Sequence, residues 1–172
     1  MTAGDAGFSD GWLSSLYVEL VGAISLFCGD QRAAEDVAQE TLIKLWQRKE
    51  SVRDPRAWAF RCAFNTARST FRRKAAEHRA LSRISRDRPA IVDPLAFVER
   101  DVDLTRGLAM LPARQRQAVL LRYLADLDLS QTARVMGCST GTVKSHVARA
   151  LAALRATGVV DQLPVEDCGR AR

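Results

Sequence analysis

Residues 137–149 read GCSTGTVKSHVAR, Gly137-Cys138-Ser139-Thr140-Gly141-Thr142-Val143-Lys144-Ser145-His146-Val147-Ala148-Arg149, and the fold of the C-terminal half turns on this stretch. Ser139 suits a helix N-cap, because its short side-chain oxygen can accept from backbone N–H groups two or three residues on. From Thr140 onward Val143, Val147, Leu151 and Leu154 recur at helical spacing in TGTVKSHVARALAALRA. One face is therefore expected to bury, leaving Thr140, Thr142, Lys144, Ser145, His146 and Arg149 outward. Upstream, Gly137 suits the left-handed turn residue that closes a shorter helix, QTARVMG. Ser130 is the expected cap of that helix, and the small Ala133 sits where the two helices would cross. Helix, tight turn, helix is the layout of a helix-turn-helix. The recognition helix of such a motif enters the major groove by its N-terminal turns, where short hydroxyls and cations are useful. Ser139, Thr140 and Thr142 can donate to phosphates or base edges; Lys144 and Arg149 can reach guanines or backbone. A plain solvated amphipathic helix would also carry polar residues outside, but the small crossing residue, turn glycine and buried valines together favour DNA binding.

Working outward, LPARQRQAVLLRYLADLDLS (111–130) places Pro112 at a helix start and Val119, Leu120, Tyr123 and Leu124 on one face, with a break over Asp126 to Leu129. Val102, Leu104, Leu108 and Leu111 extend the helical pattern upstream, so residues 102–157 read as one helical domain. A second domain, 8–78, precedes it. Trp12, Leu13, Leu16, Tyr17, Leu20, Val21 and Ile24 mark its first helix, which Gly29-Asp30 breaks. Val37, Thr41, Leu42, Leu45 and Trp46 form the stripe of a second helix. A third is expected to start at Asp54-Pro55 and to run through Trp58, Cys62, Asn65 and Phe71 to about Glu77. Between the domains, residues 79–101 hold two prolines, an excess of arginine and no sustained period, the pattern of a flexible linker. Residues 158–172, with Pro164 and mixed charge, read as a disordered tail. The expected fold class is all-α: two small helical domains joined by a flexible linker.

The formal charge of +6 over 172 residues, with a pI near 9.6, favours a polyanionic partner. No stretch of about 18 uninterrupted apolar residues stands out as a membrane span, and Met1 to Asp10 lacks the pattern of a signal peptide. These features predict a soluble cytoplasmic protein without membrane insertion. Cys28, Cys62, Cys138 and Cys168 form no CxxC pair and do not cluster with His78 or His146, which argues against a zinc site. The first three cysteines are expected to be small buried hydrophobes. No Ser/His/Asp set, metal-ligand cluster or glycine-rich phosphate loop is present, so neither catalysis nor a cofactor or metal is expected.

The second helix, within DQRAAEDVAQETLIKLWQR, carries Asp36, Gln39 and Glu40 beside the large Trp46. An acidic, amide-bearing face on a basic protein suits a basic protein surface better than DNA, although in isolation such carboxylates also fit a solvated helix. The third helix mixes Trp58, Phe60, Phe64, Asn65, Arg68, Phe71, Arg72, Arg73 and Lys74. Rings interleaved with cations suit unstacked single-stranded bases, which stack while Arg and Lys hold phosphates; the same rings could equally form core.

Read together, the chain resembles a bacterial RNA polymerase sigma factor of the sigma-70 superfamily, extracytoplasmic-function group. AAEDVAQETLIKLWQR is similar to the core-polymerase-binding segment of sigma region two, and DPRAWAFRCAFNTARSTFRRK to the segment that melts and reads the minus-10 element. LPARQRQAVLLRYLADLDLSQTARVMGCSTGTVKSHVARALAALR is similar to region four, which reads the minus-35 element. The resemblance implies that Asp36, Gln39, Glu40 and Trp46 meet the clamp helices of the largest polymerase subunit, with the beta flap as a further contact. It implies that Lys49, Arg53, Asn65, Arg68, Arg72, Arg73 and Lys74 serve the minus-10 DNA, Asn65 and the loop from Lys49 to Asp54 lying by the extruded base. Ser139, Thr140, Thr142, Lys144, Ser145, His146 and Arg149 would face the minus-35 duplex, the linker would thread the polymerase channel, and an anti-sigma factor would be a further partner. Three residues depart from the family pattern. Phe64 and Ser69 replace a polar or basic residue and a common aspartate, which bears on minus-10 preference. His146 replaces an arginine, removing a permanent cation and making minus-35 contacts weaker or responsive to pH.

A LuxR-type helix-turn-helix regulator is the alternative, since TVKSHVARALAAL resembles that recognition helix too. It would need a sensing domain with alternating strands and helices, which the first 100 residues do not offer. A helical adaptor that binds only proteins through its acidic second helix is a third reading, marked by lack of salt-dependent DNA affinity.

Overall fold

The computed structural model describes residues 8–82 and 102–158, with side chains over 8–70 and 104–158. The described residues are helical with connecting turns, in two compact units.

In the first unit Ser9 opens α1 (Asp10–Cys28) by accepting from the Trp12 amide at 3.3 Å. Gly29, at φ 69°, ends it in the left-handed region where a side chain would be strained. Asp30 follows at once and caps α2 (Gln31–Gln47) by accepting from the Ala33 amide at 3.0 Å. One αL residue and one cap residue thus make the whole corner, and α1 and α2 fold back as a hairpin. Asp54 accepts from the Ala57 amide at 3.0 Å and opens α3 (Pro55–Ser82), with Pro55 in the first turn as expected.

Leu16, Leu20, Ile24 and Phe27 of α1 meet Val37, Ala38 and Leu45 of α2 and Ala59, Phe60, Ala63 and Phe64 of α3 in the core. Each large side chain so buried contributes roughly 1.5–3 kcal/mol. Phe27 and Phe64 lock edge to face, centroids 5.1 Å apart. Phe60 and Phe64 are therefore core residues, which removes them from the base-stacking surface open to them in the sequence. By length and mean hydropathy α1 is apolar enough to cross a membrane, although Glu19 and several serines interrupt its apolar run. Its buried stripe packs into the bundle instead, and its Glu19 pairs with Arg56 of α3 at 2.7 Å.

The second unit comprises α4 (Val102–Met110), α5 (Ala113–Val119), α6 (Leu129–Met136) and α7 (Thr140–Ala156). Pro112 precedes α5, where its missing N–H costs nothing. The helix then widens into a π-helical turn, Leu120–Leu124, in which the Ala125 amide reaches the Leu120 carbonyl at 2.9 Å. The extra residue rotates the chain, so Leu124 is 45% exposed rather than on the buried face with Val119 and Leu120. Asp126 follows at φ 46°. The cap of α6 is Asp128, not Ser130. Its carboxylate accepts from the Gln131 amide at 2.7 Å while the Gln131 side chain accepts from the Asp128 amide at 3.0 Å, a reciprocal box that fixes the start two residues earlier.

Gly137 closes α6 at φ 64°, and Ser139 caps α7 as expected. Val143, Val147, Leu151 and Leu154 are buried against the α5 and α6 side of the unit, with Leu108, Leu111, Leu121 and Leu127. Cys28, Cys62 and Cys138 are half-buried rather than buried. Cys28 sits in the last turn of α1, its thiol donating to the Ile24 carbonyl, and Cys138 lies in the turn after α6, so neither reaches the core. Cys168, the 83–101 part of the expected linker and the tail beyond Gly158 lie outside the described residues.

Candidate protein and nucleic-acid interfaces

The helix-turn-helix is braced from behind. Arg114 of α5 donates to the Met136 carbonyl at the end of α6 at 2.9 Å, and Arg122 donates to the Leu127 carbonyl ahead of it. Thr132, fully buried, returns its hydroxyl to the Asp128 carbonyl at 2.8 Å. These bonds, with the Gly137 turn, set α7 against α6 and leave its other side to solvent.

On that side Ser139, Thr140, Thr142, Lys144 and Arg149 are exposed, as the sequence predicts. Ser139 and Thr142 differ from expectation in chemistry. The Ser139 hydroxyl accepts from the Thr142 amide at 3.1 Å and bonds the Thr142 hydroxyl at 2.9 Å. Both hydroxyls therefore serve the helix start, and Thr140 is the short hydroxyl left with no partner of this kind. Ser145 and His146 are half-buried, not outward. His146 stands on the flank of α7 beside Val143, and its Nδ1 is buried without a hydrogen-bond partner. Gly141, Ala148 and Ala152 are exposed on the same outer side, so the backbone of α7 can approach a surface closely.

On α3 the exposed residues Arg61, Asn65 and Ser69 stand at i, i+4 and i+8, one stripe of cation, amide and hydroxyl opposite Phe60, Ala63, Phe64 and Ala67. Arg68 is half-buried beside it. Arg61 was missed in the sequence, although its four-residue offset from Asn65 is the signal that finds it. The side chains of Arg72, Arg73 and Lys74 lie outside the described residues. Arg53, in the turn before α3, is exposed.

The outer face of α2 brings together Asp36, Gln39 and Glu40, all exposed, with Trp46 at 49% exposure. Trp46 thus belongs to this face and not to the buried stripe of Val37, Thr41 and Leu45. Between them stands Ile43, 59% exposed and also missed, four residues from Gln39 and three from Trp46. Glu40 pairs with Lys44 at 2.6 Å, and this contact raises the Lys44 pKa. The face combines two exposed apolar side chains, Ile43 and Trp46, with carboxylates, a composition that fits a protein surface carrying apolar holes and cations. Lys49, expected beside DNA, stacks its ammonium over the Trp46 ring at 4.2 Å from the centroid. Among the described residues no group of histidines, cysteines and carboxylates could hold a metal ion.

Comparison with known proteins accounts for both units. Residues 13–77 match the family model of Sigma-70 region 2, and residues 101–154 that of Sigma-70, region 4. The chain is 34% identical over 138 residues to the ECF RNA polymerase sigma factor SigL of Mycobacterium tuberculosis (strain ATCC 25618 / H37Rv), covering 75% of this chain and 76% of that one. It is 31% identical over 146 residues to the ECF RNA polymerase sigma factor EcfG of Rhodopseudomonas palustris (strain TIE-1), covering 81% and 78%. Among solved structures it is similar to the sigma factor RpoE of Bartonella quintana, crystallised with the anti-sigma factor NepR, at a TM-score of 0.71 and 28% identity over 87% of this chain and 96% of that one. The fold is also that of CnrH, solved with the cytosolic domain of CnrY, at a TM-score of 0.61 and 24% identity over 91% and 94%. With both halves matched in order and close relatives in that group, the chain belongs to the extracytoplasmic-function sigma factors of the sigma-70 family.

Proposed function

We propose that the chain binds core RNA polymerase in the cytoplasm and directs it to two-part promoters, with residues 8–78 and 102–157 as the working domains. Sigma factors are non-enzymatic subunits, so the work is done by binding. Asp36, Gln39, Glu40 and Trp46, with Ile43, dock on the clamp helices of the largest subunit. Asn65 and the loop from Lys49 to Asp54 receive the extruded minus-10 base, while Arg53, Arg68, Arg72, Arg73 and Lys74 hold backbone. Extrusion costs a few kcal/mol of lost stacking, offset by contacts in the receiving pocket. Thr140, Lys144 and Arg149 meet the minus-35 duplex; Ser139 and Thr142 support them by fixing the helix start, and Ser145 and His146 flank them. The region 4 unit also meets the beta flap. An anti-sigma factor is a further partner, by analogy with the relative crystallised with one.

The observation that supports this reading is the contrast of faces: acidic and apolar on α2, cationic and amide-bearing on α3, cationic and hydroxyl-bearing on α7. One polymerase surface and one polyanion call for that contrast. The LuxR-type reading is not favoured, because it leaves the region 2 match over 13–77 without a role.

The test is reconstituted initiation with purified core polymerase on a promoter pool. Transcripts should require the protein; Asp36→Arg should abolish core binding, and Asn65→Ala should leave core binding intact while impairing promoter opening. A protein that binds no core yet footprints duplex DNA through α7 would overturn the sigma mechanism.

A further inference from the structure

Trp46 is the largest exposed side chain on the α2 face, and two residues from outside that face, Phe8 and Lys49, lie against its ring. Phe8 meets the Trp46 ring edge to face, centroids 6.5 Å apart at 84°. Phe8 is in turn held by Trp12, at 5.4 Å and 73°. On the other side Lys49 lies over the indole at 4.2 Å. These separations fall in the range where aromatic quadrupoles and cations attract beyond simple burial.

The local chain explains why Phe8 arrives there. Ser9 is the N-cap of α1 and bonds the Trp12 amide, so Phe8 is the residue immediately before the cap. An apolar residue at that position commonly packs on the first turn and fixes the direction from which the chain approaches. Here it packs on Trp12, and the hairpin of α1 and α2 brings the start of α1 beside the end of α2. A half-exposed tryptophan without such neighbours would sample several rotamers and lose that freedom on docking.

We propose that Phe8, backed by Trp12 and opposed by Lys49 on the other side of the ring, is a positioning residue that preorganises Trp46 for docking on core polymerase. The inference rests on the reading of Trp46 as a polymerase contact. It assigns the residue before the first helix a part in partner binding without contact to the partner.

The experiment is a double-mutant cycle on the full chain, with binding to purified core polymerase measured by anisotropy of labelled protein at fixed salt and without DNA. Phe8→Ala should weaken binding about three- to tenfold in the wild-type background, and by less than about twofold once Trp46→Ala is present. Phe8→Tyr should restore binding. Phe8→Leu, which keeps apolar bulk and so protects folding, should fall between. With 5-fluorotryptophan incorporated, the Trp46 resonance should shift and broaden in Phe8→Ala. Equal losses in both backgrounds would mean that Phe8 only stabilises the unit, and unchanged binding in Phe8→Ala would mean that the ring needs no support; either overturns the inference while leaving Trp46 as a contact. Unchanged binding in Trp46→Ala alone would overturn the Trp46 assignment and the inference with it.

Discussion

Phe64 adjoins Asn65 on α3, and its burial gives a stability prediction. The side chain has 0% exposure and its ring stands 5.1 Å from Phe27 at 79°. Phe64→Ala removes a fully buried aromatic and leaves a cavity between α1 and α3, a loss of about 3–5 kcal/mol that already includes the Phe27 contact. A domain of about 75 residues has roughly 4–11 kcal/mol in all, so the substitution removes about a quarter of its stability or more. At about 4–8 °C per kcal/mol, the melting point of the first unit should drop by at least about 12 °C. Phe64→Leu, nearer in volume, should cost less than about 1.5 kcal/mol. The assay is thermal melting followed by circular dichroism on the full chain, fitted as one transition for each of the two compact units. The second-unit transition and the footprint of α7 on duplex DNA should stay where they were. If Phe64→Ala melts like wild type and instead changes which minus-10 base is preferred, the ring is on the DNA side of α3 and the packing argument is wrong.

Two further predictions concern the second unit. Asp126 holds φ 46°, a conformation that costs a non-glycine residue about 1–2 kcal/mol; glycine returns about 0.4–1 kcal/mol of that through the unfolded chain. Asp126→Gly should therefore raise the second transition by a few degrees, and a lowered transition would show that the exposed carboxylate stabilises the turn. His146→Arg adds a permanent cation on the flank of α7, so the log–log salt dependence of duplex binding should steepen by about one phosphate contact. An unchanged slope in a salt titration would place that flank away from the backbone.

Two helix starts were legible because one side chain satisfies the first free amides, Asp54 before Pro55 and Ser139 before Thr140, whereas the caps Ser9 and Asp30 were not singled out. At α6 the cap expected from the sequence is Ser130, and the structure uses Asp128 instead. The choice comes from Gln131, whose side chain can close a box with Asp128 only, and from Leu127, which must turn into the core just before it. The π-helical turn was invisible for a related reason. Leu120, Leu121 and Leu124 are compatible with ordinary helical periodicity, and the extra residue shows only when Leu124 swings out and Leu127 swings in.

The candidate interfaces divide along the same physical line. On α7 periodicity separates the buried Val143, Val147, Leu151 and Leu154 from the exposed Thr140, Thr142, Lys144 and Arg149, and fails only at the flank, where Ser145 and His146 are half-buried. On α3 it does not, because a phenylalanine satisfies a core and a base-stacking surface equally well; Phe60 and Phe64 are assigned only by finding α1 packed over them. Lys49 is the sharper case. In sequence it is a loop cation beside a DNA-reading helix, and nothing local connects it with Trp46 except a three-residue offset at the frayed end of α2. In space its ammonium lies on the indole that the polymerase would cover, while its loop is the one that would meet the extruded base. A cation shared in this way ties the two tasks together. On the proposed function, a partner that moves Trp46 would change the electrostatic surroundings of the loop assigned to the minus-10 base, whether or not it touches that loop.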